Sequence, residues 1–258
     1  MLKKNSFNVQ KYHYENIHSD YENHYYDEYS MKYREIFIYH EMFQGIDLKN
    51  KKIAELASGS GFNSNWLLNK YGDLDITGYD ISSKAVQAYK QNTAKPCHEV
   101  DLTKPNIFDE KSNMYDIAFI VGGIHHCVID LKTTLSNIQT VLKPGGVLIM
   151  FEPNREYIFE LVRYVWYKLD KYFDASSERA LSHRELKDII GNNFELLKLN
   201  YGVGVGYFLI FNSLLFRIKR LKKYLCDLLI STDRIFNLLP LKYLFPYFIA
   251  MWKKNDHG

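Results

Sequence analysis

Between residues 53 and 151 short apolar runs alternate with longer stretches in which apolar side chains recur at helical spacing. The runs at 53–57, 76–79, 98–100, 117–121 and 147–151 read as strands, and 62–71, 83–92 and 131–142 read as helices. Strands that alternate with helices predict an α/β domain built on a parallel, doubly wound sheet. In such sheets ligands gather at the carboxyl ends of the strands. Glu55, Asp80, Asp101, Gly122 and Glu152 all fall at or near such ends.

The flanks follow other patterns. Within residues 1–48, Tyr12, Tyr14, Tyr21, Tyr25, Tyr26, Tyr29 and Tyr33 crowd around His13, His18 and His24. A helix is predicted over 22–43, with Ile36, Phe37, Tyr39, His40 and Phe43 sharing a buried face. It packs on the sheet or forms a lid over a ligand. After Asn154 the chain is aromatic, with a helix predicted over 155–170. Ser182 and Glu185 have the spacing of a capping box that starts another helix. A strand is predicted at 194–201. The glycine-broken apolar run 201–216 leads into the basic run 217–223, and a closing strand is predicted at 243–252. The run 201–216 falls short of the ~20 residues of a membrane span. It reads as a helical insertion between the last two strands or as a substrate cap. A third reading is peripheral contact with a membrane through 207–223, because basic residues beside an apolar face suit anionic lipid, and a fourth, a nucleic-acid contact, is disfavoured because the basic strip is short and isolated.

Chemistry concentrates in Glu55-Leu-Ala-Ser-Gly-Ser-Gly61, directly after the first strand. Glycines let backbone approach a ligand with no Cβ in the way. Asp80 lies 19 residues past Gly61, about the interval to the ribose-binding acid of a βαβ unit. The ligand's charge follows from Glu55. Two unit negative charges about 4 Å apart repel by about 4 kcal/mol at an effective dielectric of about 20. An acid at the strand end therefore disfavours a pyrophosphate and suits a ligand with positive charge. Ser64 also stands where a dinucleotide fingerprint has its third small residue. Both features speak against a nicotinamide dinucleotide.

These residues resemble the class I S-adenosylmethionine-dependent methyltransferases, in order, over roughly 50–155. Glu55 with Gly59 and Gly61 is similar to the family's acidic glycine turn, with Ala57 where the first glycine is usual. An alanine fits there if its φ is negative. Asp80, in Gly78-Tyr-Asp-Ile-Ser82, looks like the ribose-binding acid. Asp101, in Glu99-Val-Asp-Leu102, looks like the acid that accepts from the adenine amino group. The stretch 115–126 is similar to the fourth strand and its loop, and 142–149 to the fifth. The resemblance implies a mostly parallel seven-stranded sheet with helices on both faces, and S-adenosylmethionine as cofactor. It implies cofactor contacts from Glu55, Ala57, Gly59, Gly61, Asp80, Ile81, Asp101, Leu102, Val121 and Gly122. Arg34, the one arginine before the glycine turn, becomes the candidate partner of the methionine carboxylate.

Three parts follow: an N-terminal helical lid (1–48), the cofactor-binding core (49–155), and a C-terminal part (156–258) that completes the sheet and carries the insertion. The expected reaction is O-methylation of a small molecule or a saccharide, a sugar of surface polysaccharide or natural product first. Lipid or quinone methylation at a membrane is second. A non-catalytic binding module on the same fold is the reading of a different class. His125 and His126, in the loop after the fourth strand, are candidate general bases, because histidine titrates near neutrality. Glu152 is the next candidate, and Asn154 with Arg155 could hold a polar acceptor.

Composition adds mainly exclusions. A net charge of +3 gives no general affinity for nucleic acid. Cys97, Cys127 and Cys226 are widely separated and form no C-x-x-C pair, so neither a zinc site nor a disulfide framework is indicated. With a polar stretch after Met1-Leu-Lys-Lys, this predicts a cytoplasmic protein without a secretory signal.

Overall fold

The computed structural model describes residues 26–169, 178–211 and 219–256. Its centre is a seven-stranded sheet in the order β3-β2-β1-β4-β5-β7-β6. The strands are β1 (Lys52–Leu56), β2 (Asp75–Asp80), β3 (Cys97–Glu99), β4 (Tyr115–Val121), β5 (Leu142–Pro153), β6 (Phe194–Gly202) and β7 (Tyr247–Lys254). β1 to β5 run parallel, and β7 is antiparallel to both β5 and β6. The last strand in the chain thus lies inside the sheet and does not close its edge. Its burial shows why it must: Phe248, Ala250 and Trp252 enter one core and Tyr247 and Ile249 the other. A strand apolar on both faces needs cover on both.

Helices α2 (Phe62–Tyr71), α3 (Ser83–Thr93) and α4 (Leu131–Val141) follow β1, β2 and β4. Ser82 caps α3 through the Ala85 amide, and Asp130 caps α4 through the Thr133 amide. One core lies beneath α4 and α6 (His183–Ile190), where Ile120, Leu148 and Met150 meet Leu135, Ile138 and Leu186. Ser182 caps α6 through the Arg184 amide, as the sequence predicts.

The other face carries the N-terminal helix α1 (Glu28–Arg34, continued through Glu35–Tyr39 to His40–Phe43) and the insertion helix α7 (Lys219–Phe236). The predicted start of α1 at residue 22 lies outside the described residues. Asp27 caps it by accepting from the Tyr29 and Ser30 amides. Its buried face differs from the predicted one: Phe37, Ile38, Tyr39, Met42 and Phe43 are buried, and His40 is exposed. The cause is a π-helical turn at Glu35–Tyr39, which widens the helix and shifts the phase of every later side chain. Phe43 then packs edge-on to Phe119 of β4 at 5.3 Å. α1 is therefore mainly a layer on the sheet. α5 (Glu160–Leu169) follows β5. Between β6 and β7 the chain forms a turn at Tyr207–Phe211 and then α7, both against α1.

Candidate functional site

A cavity of about 140 Å³ opens at the carboxyl ends of β1, β2, β3 and β4. The turn after β1 supplies Ala57 and Gly59 to its wall. Asp80 and Ile81 come from the end of β2, Asp101 and Leu102 from the turn after β3, and Val121 and Gly122 from the end of β4. These eight predicted cofactor residues come together. Arg34, Glu55 and Gly61 do not line the cavity.

Glu55 is buried behind the wall. It accepts from Asn63 Nδ2 at 2.7 Å and from the Ser64 hydroxyl, whose oxygen in turn accepts from Tyr89. Glu55 thus ties β1 to the first turn of α2 and reaches the cavity only through Asn63, which does line it. Burial pushes its carboxyl up to about 7 despite these donors. Gly61 is a packing residue. With φ +80, its missing Cβ would lie 2.7 Å from Tyr89 and 2.8 Å from Thr93. Arg34 is 4% exposed, with its guanidinium 4.4 Å above the ring of Tyr26. Tyr26 stands on the cavity wall and stacks on Phe62 at 4.1 Å. The N-terminal segment therefore touches the cavity through a tyrosine, and Arg34 supports that ring from behind.

Ala57 departs from expectation in conformation. Its φ is +50, in the left-handed region, where a negative value was needed for an unstrained alanine. Its neighbour Gly59 (φ +52) has nothing within 4 Å of the position of a Cβ, which leaves the backbone open to a ligand. The Gly59 amide donates to Asp80 Oδ2 at 2.8 Å, and the Ser82 amide donates to Oδ1 at 2.9 Å. Asp80 is thereby fixed on the turn.

Asp101 carries the sharpest sign of a ligand. Its Oδ1 accepts from the Thr103 amide at 2.9 Å and the Thr103 hydroxyl at 2.6 Å. Its Oδ2 is buried and has no hydrogen-bond partner. A buried carboxylate oxygen without a donor is costly and calls for one. The cavity wall holds two carboxylates, Asp80 and Asp101, and no lysine or arginine among the described residues. That lining suits a cationic ligand with amino and hydroxyl donors and disfavours phosphate. S-adenosylmethionine has a sulfonium, an ammonium, two ribose hydroxyls and an adenine amino group, so these residues fit it. Asp80 and Asp101 are suited to its ribose and adenine ends, and Gly59 to close approach of the backbone.

The loop after β4 separates the catalytic candidates. Glu152 is fully buried. It accepts from the Gly123, Ile124 and His125 amides at 3.0, 2.7 and 3.3 Å. Its Oε2 also lies 2.8 Å from His125 Nδ1. A carboxylate so engaged shapes a loop and is poorly placed to take a proton from an acceptor, which corrects the expectation for Glu152. His125, 6% exposed and off the cavity wall, is part of the same clamp. Burial and the adjacent His126 hold its pKa below the usual histidine value.

His126 does line the cavity. Its Nδ1 lies 3.1 Å from Oε1 of Glu178, a buried acid that sequence reasoning missed. Burial works against the charged ring, but the Glu178 charge and hydrogen bond outweigh it and hold the His126 pKa above its ordinary value. Glu178 lies 52 residues further along the chain, in a segment with no periodic pattern, so nothing in the sequence pairs the two. Asn154, offered as an acceptor contact, is buried. Its side chain donates to the carbonyls of Lys242 and Phe245, joining β5 to the loop before β7. Among the described residues no group of three histidine, cysteine or acidic side chains is placed to hold a metal ion.

A doubly wound sheet with a glycine turn after β1 and acids after β2 and β3 defines a Rossmann-like nucleotide-binding domain. Residues 54–148 match the family model described as "Methyltransferase domain". A hybrid PKS-NRPS synthetase, thnA of Trichoderma harzianum, is 35% identical over 109 residues, which are 39% of this chain and 3% of that protein. This chain thus spans a small fraction of the synthetase. A SAM-dependent methyltransferase structure from Archaeoglobus fulgidus superimposes with a TM-score of 0.60 at 14% identity, covering 92% of this chain and 99% of that one. Haemonchus contortus phosphoethanolamine N-methyltransferase 2, solved with phosphomonomethylethanolamine and S-adenosylhomocysteine, gives 0.63 at 13% identity, over 99% of this chain and 61% of that one. At these identities the structural likeness is one of fold. Residues 54–148 thus carry a methyltransferase domain on a Rossmann-like fold, and the residues around the cavity fit S-adenosylmethionine as its cofactor.

Proposed function

We propose that the protein methylates a hydroxyl group of a small-molecule or saccharide acceptor, with a sugar hydroxyl first. The observation that carries the oxygen acceptor is His126, an imidazole on the wall of the cofactor cavity with a buried carboxylate behind it. When bound, S-adenosylmethionine supplies a methyl group activated by a good leaving group, so much of the rate can come from positioning. A hydroxyl acceptor also has to lose its proton, and this falls to His126. Glu178 engages Nδ1, which leaves Nε2 as the nitrogen that takes the proton. Glu178 then stabilises the imidazolium. The Glu152 clamp on the 123–125 amides holds the loop that presents His126. A natural-product acceptor is in keeping with the match to a stretch of a hybrid PKS-NRPS synthetase.

The test is a methylation assay with S-adenosylmethionine against panels of sugars, sugar nucleotides and phenols, with S-adenosylhomocysteine release as readout. Turnover on a hydroxyl acceptor, lost in His126→Ala with cofactor binding intact, is expected. Turnover confined to amines, or full turnover in His126→Ala, contradicts the reading.

A further inference from the structure

Helix α7 carries apolar side chains outward as well as inward, where Cys226 and Ile230 are buried. At 100° per residue its outward stripe carries Leu221, Tyr224, Leu228 and Ile235, with Leu238 just past its end. These side chains are 51% to 81% exposed. Two of its charged side chains, Lys222 and Asp233, are buried on the opposite face, toward the protein. Lys222, 1% exposed, donates to Asp27 and, at 2.9 Å, to the Ser30 hydroxyl of α1. Asp233, fully buried, accepts from the Tyr33 hydroxyl at 2.7 Å and the Gly206 amide at 2.9 Å. Ordinary surface helices place these groups the other way round. Here two buried polar clusters lock α7 to α1 with its apolar stripe facing out.

The apolar surface continues beyond α7. It runs through the exposed Leu241 and Tyr243 to Ile158, whose amide donates to the Tyr243 carbonyl at 2.8 Å. Leu161, Val162 and Val165 of α5 are exposed in turn. Exposed apolar side chains in this number on one protein mark a site of association. Its charges indicate what it meets. Three acids near this surface already have cations: Asp227 has Lys32 at 2.6 Å, Glu156 has Lys242 at 2.7 Å, and Glu160 has Arg163. Lys223 and Arg234 run along one edge of the α7 stripe, exposed and with no acid partner among the described residues. Tyr224 and Tyr243 add amphipathic rings, the kind found at a membrane–water boundary. Among the described residues no helix is long and apolar enough to cross a membrane.

We infer that α7 and the adjoining α5 surface dock on an anionic phospholipid bilayer, the apolar stripe entering the interface and Lys223 and Arg234 meeting the headgroups. The surface comprises α7 and 238–243 together with 158–165, of which the expected contact at 207–223 covers only the beginning. The inference does not depend on the methyl acceptor.

The experiment is vesicle sedimentation with the full chain. Phosphatidylcholine vesicles are compared with vesicles that contain about 30% phosphatidylglycerol, at low and moderate salt. Binding to the anionic vesicles is expected, about tenfold weaker on phosphatidylcholine alone and weakened again by salt. Leu228→Glu/Ile235→Glu should lower the partition coefficient at least about tenfold with its melting temperature and S-adenosylmethionine binding kept. Lys223→Glu/Arg234→Glu keeps the stripe and should abolish the preference for anionic lipid, so it carries the test if the first variant does not fold. No binding to either vesicle, or unchanged binding by both variants, overturns the inference. So does a wild-type dimer that Leu228→Glu/Ile235→Glu converts to monomer, since that assigns the face to a second copy of the chain.

Discussion

A Cβ built on Gly123 would lie 2.7 Å from the Cβ of Ala57, so the loop after β4 can pass the turn after β1 only with glycine there. The same Cβ would meet Ile120 at 2.6 Å. Ala57 stands in the left-handed region, which costs an L-residue roughly 1–2 kcal/mol. Ala57→Gly removes that strain and returns some of it as chain entropy, a loss of about 0.5–1 kcal/mol. The expected outcome is stabilisation by up to about 1 kcal/mol, a rise in melting temperature of about 2–4 °C. Gly123→Ala in the wild-type background should destabilise, and Ala57→Gly should partly rescue it. Thermal melts of the two single variants and the double variant check this; strict additivity would mean that the two positions do not compete for space.

On the proposed mechanism the His126–Glu178 pair makes activity depend on pH. The base must be neutral to act, and Glu178 holds the His126 pKa above its usual value. Activity should therefore rise with pH through that raised pKa. Glu178→Gln removes the charge, lowers the His126 pKa and moves the acid limb of kcat/KM to lower pH, with a lower plateau. His126→Ala should cost about 10²–10⁴ in kcat. A pH–rate profile for each variant provides the measurement, and an acid limb that Glu178→Gln leaves in place would remove Glu178 from the mechanism.

Glu55 writes a second pH dependence, this time into stability. Its folded pKa of about 7 lies above the ordinary 4.5 because burial penalises the charge. The folded state therefore keeps a proton that the unfolded chain releases. Stability falls as pH rises from about 4.5 to about 7, by at most on the order of 3 kcal/mol. In Glu55→Gln that component vanishes. Melting curves from pH 5 to pH 8 should show the difference between wild type and variant growing with pH. A constant difference would show that Glu55 is ionised throughout.

Tyr33 and Asp233 join α1 to α7, and Gly204 and Gly206 close on them. The Gly204 amide donates to the Tyr33 hydroxyl at 3.3 Å. Asp233→Ala leaves the Tyr33 hydroxyl and the Gly206 amide buried without an acceptor, at about 1–3 kcal/mol for each group. Tyr33→Phe removes one donor and should cost about 1 kcal/mol. Limited proteolysis should then cut the insertion faster in Asp233→Ala than in wild type. Equal cutting rates would place the anchor of the insertion elsewhere.

The first five strands were legible because each is a short apolar run bounded by turns and followed by a helix-period stretch. The sheet order around β7 was not, since an apolar strand at the chain end looks alike at an edge and in the interior. Asp80 was readable from its distance to the glycine turn and Asp101 from the family resemblance and its place at a strand end, and both reach the cavity. Glu55 and Glu152 were misread for one reason: a strand-end acid looks the same in sequence whether it faces a ligand or its own backbone. Asn63 and Ser64 hold the first, and three loop amides hold the second. Asn63 and Ser64, polar residues at the start of a helix beside a buried strand end, were the available signal for Glu55. The pairing of Glu178 with His126 left no trace in the local pattern. The burial phase of α1 was lost at its π-helical turn, which sequence periodicity does not register.

Asp101 tests the cofactor site most directly. Thr103 fixes its Oδ1, so Asp101→Asn keeps that oxygen in place and turns an amide Nδ2 to the position of the unpartnered Oδ2. A donor would then face the adenine amino group that the resemblance assigns to Asp101. Calorimetric titration of wild type with S-adenosylmethionine and S-adenosylhomocysteine should show one site for each. Asp101→Asn should bind about 10- to 150-fold more weakly at an unchanged melting temperature. A folded wild type that binds neither ligand, or an Asp101→Asn variant with wild-type affinity, would contradict the account.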